Sequence, residues 1–338
     1  MPSRGERAYA YAKSCGIIGK SFTGSRARAL RGIGRLSELD RIVFPSSSRD
    51  LPEKELLVDI EERLLKREIE AIVSVLDSYR TVPEFLAVLL QGYECNDVKN
   101  MLGSGAGTHR PAFFDLGRFG TVNISAWPDY QAMLKNTDYE FLLNEKGELD
   151  RSRGEIKLNA ELDRIYYTKL WTALKKLPKK DRRVCEFILA EEISLRNSSW
   201  VLRLRTYYQM KAEETASHLI DIQSITGGKT ISLAEDAKAI LSLPLDTRQN
   251  WENWKRASFL NPDTMGWKAN PRYFQNASSR YLYKLACKSF HFSPASIDSI
   301  FCFIKIKQFE EDFLTSSAEG IAMGMTSGEV FGILGMES

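Results

Sequence analysis

Histidine is scarce in this sequence, cysteine is sparse, and no apolar run is long enough to cross a bilayer. Each shortage removes a class of function. The three histidines, His109, His218 and His291, are far apart and form no H-x-x-x-H pair, so the ligand spacing of a zinc site is missing. The five cysteines, Cys15, Cys95, Cys185, Cys287 and Cys302, are odd in number and never fall in a C-x-x-C arrangement. That excludes a disulfide framework and fits a reducing cytoplasm. No metal and no cofactor is expected. With 47 basic against 44 acidic side chains the net charge is only +3, which gives no basis for nucleic acid as a partner. No stretch approaches the roughly 18 to 20 apolar residues of a membrane span, and the N-terminus shows no signal-peptide core. Direct membrane insertion is therefore not expected. Alternating strand patterns are also missing, so the fold is read as all-α.

What the sequence does have is helical periodicity, over a 43% hydrophobic and 27% charged composition typical of a chain with a sizeable core. In the stretch from Glu84 to Leu102, Leu86, Leu90, Tyr93 and Met101 share a face, and Asp97 interrupts it. A carboxylate on an apolar stripe must be paired or must line a wet cavity, because burying it bare is costly. The pattern recurs at Ile188, Glu192, Leu195 and Leu202, and again at Ile300, Ile304, Lys307, Glu311 and Leu314. Three acid-interrupted helices predict one design used three times.

Between them the chain reads as further helices over 6–20, 51–79, 159–177, 213–220, 232–241, 274–290 and 327–334, with a turn at Thr226 to Thr230. The Gly103 to Gly107 run reads as a helix end. Motifs that resemble catalytic ones have plainer readings. Ser14 to Ser21 approaches the phosphate-cradling G-x-x-x-x-G-K-S, but Ser14 replaces the first glycine and a helix, not a strand, precedes it. The adjacent acids Glu191-Glu192 and Glu310-Glu311 point about 100° apart on a helix, so one of each pair is expected to be merely solvated. The basic run Lys175 to Arg183 reads as a solvated turn. Arg203 to Tyr208 and Arg280 to Lys284 interleave basic and aromatic residues, which on helices predicts a core face with snorkelling cations.

At the motif helices the chain resembles the family of C subunits of V/A-type rotary ATPases, whose eukaryotic members are the d subunits. Its first motif copy is Tyr93-Glu94-Cys95-Asn96-Asp97-Val98-Lys99-Asn100-Met101-Leu102. The second runs from Glu191 to Arg205 around Arg196-Asn197, and Tyr207 to Glu214 follow it. The third is Phe301 to Glu311, followed by Glu319-Gly320-Ile321 and Gly328-Glu329-Val330. The opening Tyr9 to Lys13, with Arg26, Arg28 and Leu30 downstream, is similar to the family's start. The third copy departs from the pattern at Asp312, Phe313 and Thr315, and no role is carried onto those positions.

The resemblance implies a funnel-shaped, all-α protein of three pseudo-threefold related repeats, placed here at residues 1–125, 126–225 and 226–338. It implies a non-catalytic coupling protein, one copy per complex, peripheral on the cytoplasmic face of the membrane. Its partners would be the central shaft subunits of the soluble ATPase head and the membrane rotor ring, in ATP-linked proton or sodium transport. Asp97, Lys99, Glu192, Arg196, Arg203 and Glu311 are the candidate residues of the funnel wall or of its supporting polar network; intersubdomain salt bridges are the plainer reading of the same six. The rival function is a helical repeat adaptor for soluble partners. A solenoid has a period near 30 to 45 residues, whereas Asp97, Glu192 and Glu311 are 95 and 119 apart.

Overall fold

Ser3 opens the first helix: its hydroxyl accepts a hydrogen bond from the Glu6 N–H, and the Glu6 carboxylate accepts one from the Ser3 N–H. This reciprocal cap satisfies donors that a helix start leaves free. The computed structural model describes residues 2–103, 113–226 and 228–334, and twelve α-helices lie among them. The first six are α1 (Arg4–Ile18), α2 (Leu36–Val43), α3 (Glu53–Leu76), α4 (Glu84–Gly103), α5 (Tyr130–Leu134) and α6 (Glu155–Lys175). The rest are α7 (Arg183–Tyr207), α8 (Ala212–Ser217), α9 (Glu235–Lys238), α10 (Pro271–Phe290), α11 (Ile297–Ala322) and α12 (Ser327–Leu334). Local signals again set the later starts. Asn270 caps α10 ahead of Pro271, and Ser296 caps α11.

Among the described residues the fold is all-α apart from an isolated Leu143–Leu149 bridge and one antiparallel hairpin, β1 (Gln223–Thr226) with β2 (Lys229–Ser232), in register Gln223↔Ser232 and Thr226↔Lys229. The absence of strands read from the sequence needs that correction. The hairpin was hidden because its alternation runs inside out: Ser224 is buried while Ile225 is 70% exposed. Gly228 supplies the positive φ of the turn. Ser232, expected to start a helix, is held instead by donating its hydroxyl to Asp221, which leaves only the short α9. Helix α2 was not among the expected helices, although Leu36, Leu39 and Val43 share one buried face of it. The glycine run ends α4 at Gly103; its remainder, with His109, lies outside the described residues.

Six long helices pack in a cycle. Helix α4 packs on α6, α7 on α10, and α11 on α3. The three motif helices thus each rest on a long helix from another part of the chain. Toward one end all six share a single apolar core, from Ile72, Leu76 and Tyr79 to Phe85, Leu89, Leu170, Leu174, Ile188, Phe290 and Phe301. Toward the other end that core divides into three. Leu56, Ile60 and Leu64 meet Phe313 and Leu314; Cys95, Val98 and Leu102 meet Leu158 and Leu162; Val201 and Leu202 meet Trp251, Trp254 and Phe274. The helices therefore converge at a closed, apolar end and separate toward the opposite one. Because α4, α7 and α11 are packed on more than one face, none shows a single apolar stripe.

Candidate functional site

Where the core divides, the inward side chains turn polar and enclose water-accessible space. One compartment of about 440 Å³ is bounded by Glu68 of α3, Tyr93, Asn96 and Asp97 of α4, Asp163 and Tyr166 of α6, and Glu311 of α11. A second, of about 340 Å³, is bounded by Ser199, Trp200 and Arg203 of α7 and by Gln275 and Ser278 of α10. Tyr167, Glu192, Arg196, Lys305, Gln308 and Asp312 line both, so the two form one lumen. Arg203 and Gln275 also line a wider opening of about 1130 Å³ beside Tyr207, Tyr273 and Met323. The lumen thus leads from the closed core toward the ends of α7 and α11 and the start of α10.

Two ion-pair systems brace its wall. Asp163 receives Arg196 through Nη2 at 2.8 and 2.9 Å, and Lys99 through Nζ. Burial works against the Asp163 charge, but Arg196 and Lys99 outweigh it and hold the carboxyl below its ordinary range. Arg196 also lies over the Tyr167 ring, 5.4 Å from its centroid. Glu192 pairs with Lys305 at 2.7 Å and accepts from the Tyr167 hydroxyl at 3.1 Å.

Four further carboxylates have no ion-pair partner among the described residues: Glu68, Asp97, Glu311 and Asp312. Glu68 accepts the Tyr93 hydroxyl at 2.5 Å, and burial followed by the neighbouring Glu311 raises it well above the usual range. Burial pushes Asp97 up to about 7, although it accepts the Phe114 N–H at 3.0 Å. Burial and then Asp312 push Glu311 up to about 7. Burial between the walls raises Asp312 to about 6, against the opposing pull of Lys305, although its side chain stays solvent-accessible.

Of the six candidates, Asp97, Glu192, Arg196, Arg203 and Glu311 line this connected space, and Lys99 stands behind it on Asp163. Glu68, Asp163, Lys305 and Asp312 were not among them. Glu68 had a readable signal, since Ile60, Leu64, Glu68 and Ile72 form an acid-interrupted stripe like that of Asp97. Asp163 had the same kind of signal, since Ala160, Asp163, Tyr167, Leu170 and Leu174 share one face, but its partners depend on which helices meet.

Two local expectations are corrected. Neither acid of each adjacent pair is simply solvated. Glu191 is clamped by Arg256 through both oxygens, and Glu310 is buried against Lys307 and the Phe22 N–H at 2.7 Å, because α7 and α11 are packed on two faces. Tyr207 and Tyr208 are 54% and 58% exposed rather than core, since the last turn of α7 projects at the opening. Ser14 lies inside α1 and donates to the Tyr11 carbonyl, so the phosphate-loop-like stretch is helical up to Ile18 and ends in a turn at Gly19 and Lys20. Among the described residues no cluster of His, Cys, Asp and Glu could hold a metal ion, and no helix is long and apolar enough to cross a membrane.

Comparison with known proteins decides the family. Residues 48–330 match the family described as ATP synthase (C/AC39) subunit. The chain belongs to that family. A protein of Treponema pallidum (strain Nichols), described only as uncharacterized, is 29% identical over 330 residues, spanning 94% of this chain and 92% of the relative. The C/AC39 match begins just ahead of α3 and ends within α12, so it takes in all six long helices and every residue of the lumen.

Proposed function

We propose that this C/AC39 protein is the non-catalytic socket between the shaft of a V/A-type ATPase and its membrane rotor ring. One copy per complex would sit peripherally on the cytoplasmic face and transmit torque during ATP-linked ion transport. The observation that carries this reading is the lumen itself: an open, water-accessible space between six helices, walled by carboxylates with no ion-pair partner among the described residues. Polar groups in such a socket stay hydrated when it is empty and grip a charged partner through many modest contacts. The cyclic packing of α4 on α6, α7 on α10 and α11 on α3 supports a three-repeat funnel divided near residues 125 and 225. In that division each repeat contributes one inner helix. With Glu68, Asp97, Glu311 and Asp312 on the wall, the shaft end that fits is one carrying Lys or Arg.

The test is purification of the tagged chain from detergent-solubilised membranes, as wild type and with Glu311→Lys and Asp312→Lys together. Shaft, head and ring subunits are expected with the wild type at one copy per assembly, and loss of shaft and head with the variant. Recovery of soluble partners alone from membranes that demonstrably contain the ATPase would overturn the proposal in favour of an adaptor.

A further inference from the structure

The two sides of the lumen carry different charge. On the α3–α4 side, the charged residues that line only the first compartment are all acids: Glu68, Asp97, Asp163 and Glu311. The second compartment, between α7 and α10, adds no acid of its own. It adds Arg203, with Ser199, Gln275 and Ser278 as uncharged hydrogen-bonding groups. Glu192, Arg196, Lys305 and Asp312 face both compartments, and the first three are already engaged in the ion pairs that brace the wall. The difference between the sides is therefore set by the residues they do not share.

The sequence of α10 explains the cationic side. Between Pro271 and Phe290 that helix carries Arg272, Arg280, Lys284 and Lys288 and neither Asp nor Glu, so it can offer a partner only cations and neutral groups. Arg272, in its first turn, joins Arg203 in lining the wide opening. Both arginines are exposed, and neither has an ion-pair partner among the described residues. Glu319 of α11 lines the same opening without pairing with either. On α7 the nearby acid Glu191 is taken by Arg256. The exposed rings of Tyr207 and Tyr273 stand at the opening too, with hydroxyls able to donate. Free guanidinium groups beside phenol donors form a receptor for carboxylates, because the arginine fork matches the two oxygens.

We propose that the α7–α10 side of the opening receives a carboxylate-bearing segment of the shaft on Arg203 and Arg272, while basic shaft residues face the acids of α3, α4 and α11. This inference rests on the shaft reading and adds the charge that the shaft carries on each side. A socket built from three like repeats offers three rotational seats. Opposite charge on opposite sides leaves one seat in which no like charges meet. In the others a shaft carboxylate turns toward the acids, or a shaft cation toward the two arginines, and such contacts reject the seat.

The test uses the complex purified through the tagged chain. Arg203→Lys with Arg272→Lys keeps both charges and supplies amines, which a water-soluble carbodiimide joins to a carboxylate in direct contact, taking up the water released. Mass spectrometry of the joined peptides should show amides between the introduced amines and Asp or Glu of a shaft subunit. Binding is then measured with shaft subunits released from the wild-type complex. Arg203→Glu with Arg272→Glu should weaken it by about a hundredfold or more, and Arg203→Gln with Arg272→Gln by roughly 2- to 30-fold. Circular dichroism confirms that these variants remain folded, as exposed positions allow. Binding by folded charge-reversed protein equal to that of the wild type overturns the inference and leaves the shaft reading standing. So do crosslinks that run only to a ring subunit, which would assign the two arginines to another contact. A wild-type complex without shaft subunits overturns the shaft reading itself, and this inference with it.

Discussion

Arg196 of α7 grips both carboxylate oxygens of Asp163 on α6, while Lys99 of α4 donates to the same group. One buried carboxylate thereby ties three helices together behind the lumen wall. Asp163→Asn keeps the shape and removes the charge, stranding two cations. Breaking a fully buried pair costs about 3 to 5 kcal/mol, but Arg196 keeps 35% of its side chain accessible and is partly hydrated. A loss of about 2 kcal/mol is expected on that account, measured by urea unfolding. Arg196→Ala should cost less, because Lys99 remains on Asp163.

The lumen carboxylates have the opposite pH signature. Asp97 and Glu311 titrate near 7 in the folded chain and near 4 when unfolded. Between those values the folded state holds more protons, so these groups make stability fall as pH rises from about 4 to about 7, with no further loss above. Asp163, held low, contributes stability that is present above about 4 and is lost as pH falls through its folded value. Asp97→Asn and Glu311→Gln should each flatten the decline of the unfolding midpoint between about pH 5 and 8 and raise that midpoint at the alkaline end. An unchanged profile in both variants would show that these acids ionise freely.

Gly320 sits inside α11, where a glycine is ordinarily a weak choice. A Cβ there would overlap Val330 Cγ2 on α12, so the glycine permits close approach of the two helices. Gly320→Ala should destabilise the chain by about 1 to 3 kcal/mol through overpacking, despite its better helix propensity. Adding Val330→Ala should recover part of that loss, a coupling that a double-mutant cycle detects.

Most long helices were legible because their signals are local. The Ser3 cap, Pro271 at the start of α10 and the stripe through Leu56, Ile60 and Leu64 can each be read within a few turns. Asp97, Glu192 and Glu311 were legible for a related reason: an acid on an apolar face forecasts either a partner or water. Which partner was not legible. That Asp163 meets Arg196, or Glu191 meets Arg256, depends on segments 33 and 65 residues away, and sequence spacing has no record of that distance. The hairpin failed for yet another reason, since its apolar residues face outward and the pattern that marks strands was reversed.

The raised carboxylates make the proposed shaft contact testable through protons. A cation entering the lumen stabilises the ionised forms of Glu311 and Asp312, which titrate near 7 and 6 when the space is empty. Binding must then release protons, so affinity for the shaft should strengthen as pH rises through about 6 to 7 and level off above. Each full unit by which the partner lowers such a pKa gives up to tenfold in affinity. Calorimetry of shaft binding in buffers of different ionisation enthalpy measures the protons released. Glu311→Gln with Asp312→Asn should weaken binding at pH 8 by about tenfold or more and remove most of the pH dependence. Its expected effect at pH 5.5 is small, because both groups are already protonated there. Loss of affinity of the same size at both pH values would mean that the substitutions act on the wall's shape rather than on its charge, and a basic shaft end would no longer be the partner the lumen selects.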